Sequence, residues 1–226
     1  MEMHIKEARV YDKIIKNKHY RLLLDTPLDF KPGQYIELYL KDKFGHLITP
    51  RPYTISSAST KDFLELYVGI IKGGMYSNKI SKLKKGDMFY YKGPLGETLL
   101  NRIHSKNLLI VAFGSGISTY RALIHLIAND KSYKTKLIYI NSHYDDFFYN
   151  EEFYELEKKN PNFAYFSLVT KEDSSKRPKD LFAEVFNRLE NKDDWNYLIS
   201  GPRKAVTEFY DLLIEEKIKG EKIVTD

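Results

Sequence analysis

The chain carries two successive patterns of hydrophobic positions, and each pattern predicts a different architecture. Up to about residue 100, short runs rich in aromatic and branched residues are separated by turn formers such as Lys31-Pro32-Gly33 and Gly93-Pro94. These runs are HYRLLLD, QYIELYLK, FLELYVGIIK and DMFYYKG. Short strands with frequent turns predict an antiparallel β-barrel or sandwich for this half.

From about residue 107 the pattern changes to continuous apolar runs that alternate with amphipathic helical segments. The apolar runs cover 108–113, 136–141, 163–169 and 195–200, and the helical segments cover 119–130, 151–159, 179–190 and 204–219. This alternation predicts a doubly wound parallel α/β sheet. In the last helical segment, Val206, Phe209, Tyr210 and Leu213 share a face that should contact the core. A polar stretch at 101–106 separates the two patterns, so we expect domains at 1–103 and 104–226.

Composition excludes several classes of site. The 226 residues contain no cysteine, which rules out disulfides, thiolate zinc sites and cysteine-ligated iron–sulfur clusters within them. The six histidines are scattered, and we expect no metal site. The net charge of +5 comes from dispersed lysines without a nucleic-acid-binding motif, so we expect no nucleic-acid partner. We find neither a membrane-spanning run nor the apolar core of a signal peptide, and we expect a cytoplasmic protein.

The segment Arg51-Pro52-Tyr53-Thr54 falls on a predicted strand and offers the groups that a flavin dinucleotide requires. Alternation places Arg51 and Tyr53 on one face, with Thr54 on the other face or at a twist. A guanidinium suits a pyrophosphate, a tyrosine ring can stack on a planar heterocycle, and a hydroxyl can bond a ring nitrogen. On its own, the segment fits equally a strand with an incidental surface arginine.

Two glycine-containing segments precede predicted helices. Gly73-Gly74-Met75-Tyr76-Ser77 can open a helix whose free amides bind phosphate, and Ser77 can add its hydroxyl. Gly114-Ser115-Gly116-Ile117 lies between an apolar strand and an amphipathic helix, the context of a dinucleotide phosphate loop, although the third glycine is missing. An ordinary turn remains the alternative for each.

A fourth segment, Ser200-Gly201-Pro202-Arg203, ends the predicted strand WNYLIS. It would lie at the carboxyl edge of the sheet, where open α/β sheets bind ligands. The alternative is a structural helix start with proline in the first turn.

In their order and spacing, these four segments resemble those of the ferredoxin–NADP reductase superfamily, and the likeness covers essentially the whole chain. The resemblance implies an FAD-binding β-barrel followed by a nicotinamide-nucleotide-binding α/β domain. It assigns Arg51 to the FAD pyrophosphate, Tyr53 to the isoalloxazine and the Thr54 hydroxyl to the neighbourhood of flavin N5. It assigns the remaining cofactor-binding roles to Gly73, Gly74 and Ser77 on the flavin side, and to Gly114, Ser115, Gly116, Ile117, Gly201 and Pro202 on the nucleotide side.

The chain departs from the family pattern at several positions. Ser200 replaces the cysteine that lies near the nicotinamide, which puts the hydride-transfer rate in doubt but not the reaction class, and Thr119 replaces a common proline. Lys171 stands where the family often has an arginine for the NADP 2′-phosphate; a solvated lysine is the alternative. The sequence favours NADPH over NADH only slightly. Asp226 replaces the terminal aromatic of some members, so either the flavin face is open or another residue covers it.

The resemblance implies hydride transfer between NAD(P)H and flavin, followed by release of single electrons. Thr54 and Ser200 are the residues expected at the reacting atoms. Because the chain lacks cysteine, we expect a separate acceptor, namely a ferredoxin, flavodoxin or haem protein of acidic character that a basic reductase would attract. Two alternatives remain: an NAD(P)H:flavin reductase, and a non-catalytic subunit that binds flavin or nucleotide only as a ligand.

Overall fold

The structure is a computed structural model, and it describes residues 4–58, 63–71, 73–173 and 175–226. The described chain forms two compact units. The first unit extends to Leu99 and includes Ser118–Leu123, and the second comprises Leu100–Ile117 and Ile124–Asp226. The division at 103 and 104 stays a prediction.

The first unit contains a six-stranded sheet in which every pair of neighbouring strands is antiparallel. Its elements are β1 (Lys6–Lys16), β2 (His19–Leu24), β3 (Tyr35–Tyr39), β4 (Arg51–Thr54), β5 (Leu64–Gly69), α1 (Met75–Lys82) and β6 (Met88–Leu95). The strand order is β4-β3-β6-β1-β2-β5. The antiparallel architecture predicted for this half is confirmed.

Burial along the strands explains which of them the sequence revealed. In β2, Tyr20, Leu22 and Leu24 are buried and alternate with half-buried residues, the pattern of a strand with one face on the core. In β1 only Ala8 and Val10 are buried among eleven residues. The run KEARVYDKIIK therefore lacks a regular alternation, and the sequence did not predict this strand.

The second unit contains a five-stranded sheet whose neighbouring strands are all parallel, as predicted. Its strands are β7 (Asn107–Phe113), β8 (Lys134–Asn141), β9 (Phe163–Val169), β10 (Trp195–Ser200) and β11 (Ile223–Thr225), in the order β11-β10-β7-β8-β9. The helices are α2 (Ile117–Ile127), α3 (Asn150–Lys159), α4 (Pro178–Asn187) and α5 (Arg203–Glu215). The order reverses between β7 and β10, and the sequence did not predict the three-residue strand β11.

The core of the second unit confirms the predicted face of α5. Phe209 and Leu213 are fully buried, and Val206 and Tyr210 pack against the same cluster. Over the described ranges, no helix is both long and apolar enough to cross a membrane. Within those ranges, no three side chains of metal-binding type are grouped so that they could hold an ion.

Candidate functional site

The strand β4 presents Arg51 and Tyr53 on the core side of its sheet. Arg51 lies opposite Leu38 and Tyr53 opposite Ile36, and both partners are fully buried. Directly paired residues of antiparallel strands share a face, so the arginine and the tyrosine point toward the core side at the edge of the sheet. Thr54 pairs with Tyr35 and lies on the other face, which is one of the two placements that the alternation allows.

Tyr76 connects this strand with the first helix, and the sequence did not single it out. The Arg51 Cζ lies 6.0 Å from the centroid of the Tyr76 ring, within the range of a cation–π contact. The buried Tyr76 donates its hydroxyl proton to the carbonyl oxygen of Thr49 at 2.6 Å. The glycine segment that begins α1 therefore lies next to the arginine, although more than 20 positions separate them in the sequence.

The ring of Tyr53 is held neutral in this environment. Burial raises the pKa of Tyr53 to about 12, and the nearby Tyr76 adds to that effect while the Arg51 charge opposes it. Tyr53 packs against the core of the first unit and is only half-buried. One part of the ring is thus fixed by the core and another part is exposed for stacking.

The Gly73–Gly74 turn leads into α1, and among the described residues no side chain forms a capping hydrogen bond at its amino end. Gly73 has φ +79°, and Gly74 caps the helix without a side-chain hydrogen bond. The first turn of α1 contains no acidic residue that would offset the partial positive charge of this end. Ser77 is buried, and its Oγ accepts from the Ile71 amide at 3.2 Å. Ser77 shapes the loop in this way, and its phosphate contact stays a prediction.

A buried cluster of charges supports the chain immediately after β4. Within the first unit, Arg121 Nη1 donates to the Ser56 carbonyl at 2.6 Å and to Glu65 Oε2 at 3.2 Å. Arg21 Nε binds the other oxygen of the same carboxylate at 2.8 Å. The side chains of Arg121 and Glu65 are each only 7% exposed. Two guanidinium groups therefore compensate one buried carboxylate, an arrangement that the sequence did not indicate.

In the second unit, the loops after β7 and β10 are in contact at the point where the strand order reverses. A Cβ at Gly116 would lie 2.6 Å from the carbonyl carbon and oxygen of Ser200. A Cβ at Gly201, which has φ +147°, would lie 2.6 Å from the Cβ of Phe113. The absence of side chains at these two glycines lets the loops pack together. Such a switch point is where open α/β sheets bind ligands.

The structure shows where the other predicted nucleotide-binding residues lie around this switch point. Gly114 has φ +54° and starts the turn before α2, Ser115 is half-buried and Ile117 is fully buried. Ser200 is buried and donates its hydroxyl proton to Asp226 Oδ2 at 2.5 Å. Pro202 forms the cap of α5. The contact between Ser200 and Asp226 had no signal in the sequence, because side chains 26 positions apart meet only through the pairing of β10 with β11.

Lys171 lies farther along the same carboxyl edge, beyond β8. Its side chain is exposed, and its backbone amide donates to the Ser142 carbonyl at 3.0 Å. Its phosphate contact stays a prediction. The next residue, Glu172, accepts a hydrogen bond from the Tyr144 amide at 2.7 Å. The loop after β9 is thereby bound to the loop after β8, and the sequence did not single out Glu172.

Both edges fit the cofactors that the sequence implies. On the flavin side, a guanidinium, a half-buried tyrosine and a helix start without an acidic residue in its first turn match a pyrophosphate joined to a flat ring system. On the nucleotide side, the Asn141 side chain at the end of β8 is buried, and its amide has no hydrogen-bond partner among the residues described. A buried amide in that state fits an edge that receives a polar ligand.

Two family models match the chain in agreement with this geometry. The oxidoreductase FAD-binding domain matches residues 13–99, and the oxidoreductase NAD-binding domain matches residues 110–210. The chain belongs to the ferredoxin–NADP reductase superfamily. This membership confirms the resemblance that the four sequence segments indicated, and it covers both units.

Curated relatives of this superfamily member are reductases of several systems. It is 30% identical over 154 residues to the reductase component DmpP of phenol 2-monooxygenase from Pseudomonas sp. (strain CF600), covering 67% of the chain and 42% of that protein. It is 30% identical over 176 residues to NADH-cytochrome b5 reductase 2 of Mycosarcoma maydis, covering 73% and 49%. The chain thus spans about half the length of the curated relatives it matches.

Solved structures of the superfamily share the fold of the chain. A ferredoxin NADP+ reductase from Neisseria gonorrhoeae, with bound FAD and NADP, superimposes with a TM-score of 0.82 at 20% identity. The superposition covers 100% of the chain and 99% of that structure. At this identity the likeness concerns the fold alone.

Proposed function

We propose that the chain is an FAD-dependent oxidoreductase that accepts hydride from a nicotinamide dinucleotide and passes single electrons to a separate carrier. The observation that carries the proposal is that one chain contains two candidate binding edges, one in each unit. The first edge lies beside α1 and carries Arg51 and Tyr53. The second is the switch point of the parallel sheet, where the loop that contains Gly116 contacts the loop that follows Ser200. A flavin site alone would not require the second feature.

The residues of the first unit would bind and orient the flavin. Arg51 would hold the pyrophosphate together with the free amides of α1, and Tyr53 would pack on the ring system. Thr54, on the opposite face of β4, would offer its hydroxyl near the reacting edge. When bound, FAD supplies the conversion between two-electron and one-electron transfer.

The residues of the second unit would place the nucleotide. The Gly114–Gly116 turn and the start of α2 would bind phosphate through backbone amides, and the loop after β10 would lie beside the nicotinamide. Ser200 replaces the cysteine of the family pattern. Its hydroxyl is oriented by Asp226, so Ser200 would act by position and size rather than as an acid or base.

The carrier would be a separate protein, because no cysteine is available in these residues to ligate an iron–sulfur cluster. Ferredoxin, flavodoxin and haem proteins are the candidates. With a net charge of +5, the chain would attract an acidic carrier, and the rate of association would fall as ionic strength rises. The cytoplasmic location also stays a prediction.

The test begins with the visible spectrum of the purified protein and anaerobic mixing with NADH or NADPH in stopped flow. We expect a yellow protein that either nucleotide bleaches. An Arg51→Met variant should bind FAD about 10- to 100-fold more weakly, since a charge-assisted hydrogen bond is lost. Arg177→Met, at an exposed arginine paired with Asp180, is the matched control and should not change FAD affinity.

The other outcomes distinguish the alternatives. Fast turnover of added free flavin with loosely bound FAD would indicate an NAD(P)H:flavin reductase. A yellow protein that neither nucleotide bleaches would indicate a non-catalytic subunit. A colourless protein that FAD does not reconstitute would show that the assignment of Arg51, Tyr53 and Thr54 is wrong.

A further inference from the structure

The carboxyl edge of β8 and β9 carries an acidic group that bears on the choice of nucleotide. Glu172 follows β9, and its side chain reaches the loop after β8. Its Oε2 accepts from the Tyr144 amide at 2.7 Å, and its Oε1 lies 3.1 Å from His143 Nδ1. Both carboxylate oxygens are engaged by one loop, so this side chain has a defined position although it is 43% exposed.

An independent observation marks the same edge as a place for a polar ligand. The side chain of Asn141, the last residue of β8, belongs to a residue that is only 4% exposed. Neither its Nδ2 nor its Oδ1 has a hydrogen-bond partner in the described part of the chain. Buried amides are almost always paired, because an unpaired one loses its hydration without compensation. A ligand at this edge would supply that pairing.

The fold places the adenosine ribose of a dinucleotide near this position. In doubly wound sheets the phosphates lie at the first strand-to-helix turn, here Gly114–Gly116 after β7. The adenosine then extends toward the end of the strand that comes next along the chain and pairs with β7, which is β8. An acidic residue at that end binds the free ribose hydroxyls of NADH, and the same charge repels the 2′-phosphate of NADPH.

Two carboxylates, those of Glu172 and Asp146, lie at this position, and His143 contacts the first of them. The Tyr144 amide lowers the pKa of Glu172, so this carboxylate is ionised at neutral pH. Asp146, which is buried, accepts from the His143 amide at 3.1 Å and is a second acidic group close to Glu172. Lys171 is the nearest candidate cation in sequence, and its side chain is exposed.

We propose that Glu172 makes the chain select NADH over NADPH, by binding the ribose hydroxyls and excluding a 2′-phosphate. The proposal rests on the nucleotide-binding function assigned above. It reverses the slight preference for NADPH that Lys171 suggested from the sequence. The reason is that the structure fixes the Glu172 carboxylate against the loop after β8, whereas the Lys171 side chain extends into solvent.

The test compares binding of ADP-ribose with that of 2′-phospho-ADP-ribose to the FAD-loaded protein by isothermal titration calorimetry. We expect ADP-ribose to bind at least about tenfold more tightly, because a dianionic phosphate meets a fixed carboxylate. A Glu172→Gln variant should bring the two dissociation constants to within about threefold, since Gln keeps an acceptor for the Tyr144 amide but not the charge. Asp173→Asn is the matched control, because the Asp173 carboxylate accepts from the Ser175 amide, and it should leave the ratio unchanged.

Three results would overturn the proposal. These are tighter binding of the 2′-phosphorylated ligand, a ratio that Glu172→Gln does not change, and binding of neither ligand. If Lys171→Ala weakens the 2′-phosphorylated ligand alone, Lys171 is the determinant instead. Mixing the same samples with NADH keeps the two proposals distinguishable. If a preference for ADP-ribose depends on Glu172 but NADH does not bleach the flavin, the oxidoreductase function fails and the selectivity stands.

Discussion

At the proposed flavin edge of the first unit, formed by Arg51 and Tyr53, the groups offered to a ligand belong largely to side chains. At the switch point of the second unit they belong to the backbone. Arg51 and Tyr53 lie on a four-residue edge strand, where Arg51 contacts the Tyr76 ring and Tyr53 packs against the core. Gly116 and Gly201 position two loops by having no side chain at all. The first edge should therefore be sensitive to the removal of supporting groups, and the second to the addition of atoms.

The largest effect is expected from removing a support of the flavin edge. An Arg121→Met variant keeps much of the side-chain volume but takes one of two guanidinium groups from the buried Glu65 carboxylate. It also takes the donor that binds the Ser56 carbonyl. Breaking a buried ion pair costs about 3–5 kcal/mol, because a buried charge loses its compensation. Urea denaturation followed by circular dichroism should show a free energy of unfolding lower by that amount.

The matched control for this variant is Arg177→Met, which removes an exposed arginine whose partner is Asp180. Exposed ion pairs contribute little, so the urea midpoint should not move measurably. If Arg121→Met is no more destabilising than Arg177→Met, the flavin edge does not depend on the buried cluster. The edge that carries Arg51 and Tyr53 would then not be more sensitive than the surface to the loss of a supporting side chain.

A smaller effect is expected from adding one methyl group at the switch point. In a Gly116→Ala variant the Cβ would lie 2.6 Å from backbone atoms of Ser200, so the two loops must separate. Forcing extra volume into a packed site costs about 1–3 kcal/mol. Because the turn proposed to bind phosphate moves, ADP-ribose should bind about tenfold or more weakly in calorimetry, whereas the flavin spectrum should be unchanged.

Gly45 provides the control for a glycine-to-alanine substitution that introduces no steric clash. It has φ +87°, and a Cβ there would meet nothing within 4 Å. A Gly45→Ala variant therefore carries a backbone penalty of a positive φ without any clash, and its nucleotide affinity should equal that of the unmodified protein. Equal affinities in Gly45→Ala and Gly116→Ala would contradict the role of close packing at the switch point.

The sequence predicted the parts of each edge that depend on local order along the chain. The strands β7 to β10 are continuous apolar runs between helical segments, and the four motifs have a fixed order, so their elements could be located. Tyr76, Glu172 and Asp226 could not be found in that way. Their roles depend on contacts with Arg51, with Tyr144 and with Ser200, and only the pairing and packing of elements bring those residues together.

The sequence did not predict two strands, β1 and β11. The strand β1 is exposed on most of its length, and β11 has only three residues. Neither forms a hydrophobic pattern long enough to be distinguished from a loop. The buried Arg121 was missed for the opposite reason, because an arginine on a helix next to apolar residues ordinarily lies on the solvent face. Its partners, Ser56 and Glu65, are more than 50 positions away.

The smallest expected effect is a change in the pH dependence of the free energy of unfolding. It depends on the Tyr53 ring in the first unit and has no counterpart at the switch point. In the folded protein burial raises the pKa of Tyr53 to about 12, against 10.0 for an ordinary tyrosine. Between these values the unfolded chain releases the phenolic proton and the folded chain keeps it. The free energy of unfolding therefore falls as pH rises through this window. From pH 9 to 11 a Tyr53→Phe variant should lose about 1 kcal/mol less stability than the unmodified protein.

Tyr11→Phe, at an exposed position of the same unit, gives the baseline for removing a phenol. If urea denaturation at both pH values gives the same loss for both variants, the Tyr53 ring is not held by the core as the structure describes, and its stacking face would not be fixed before flavin binds.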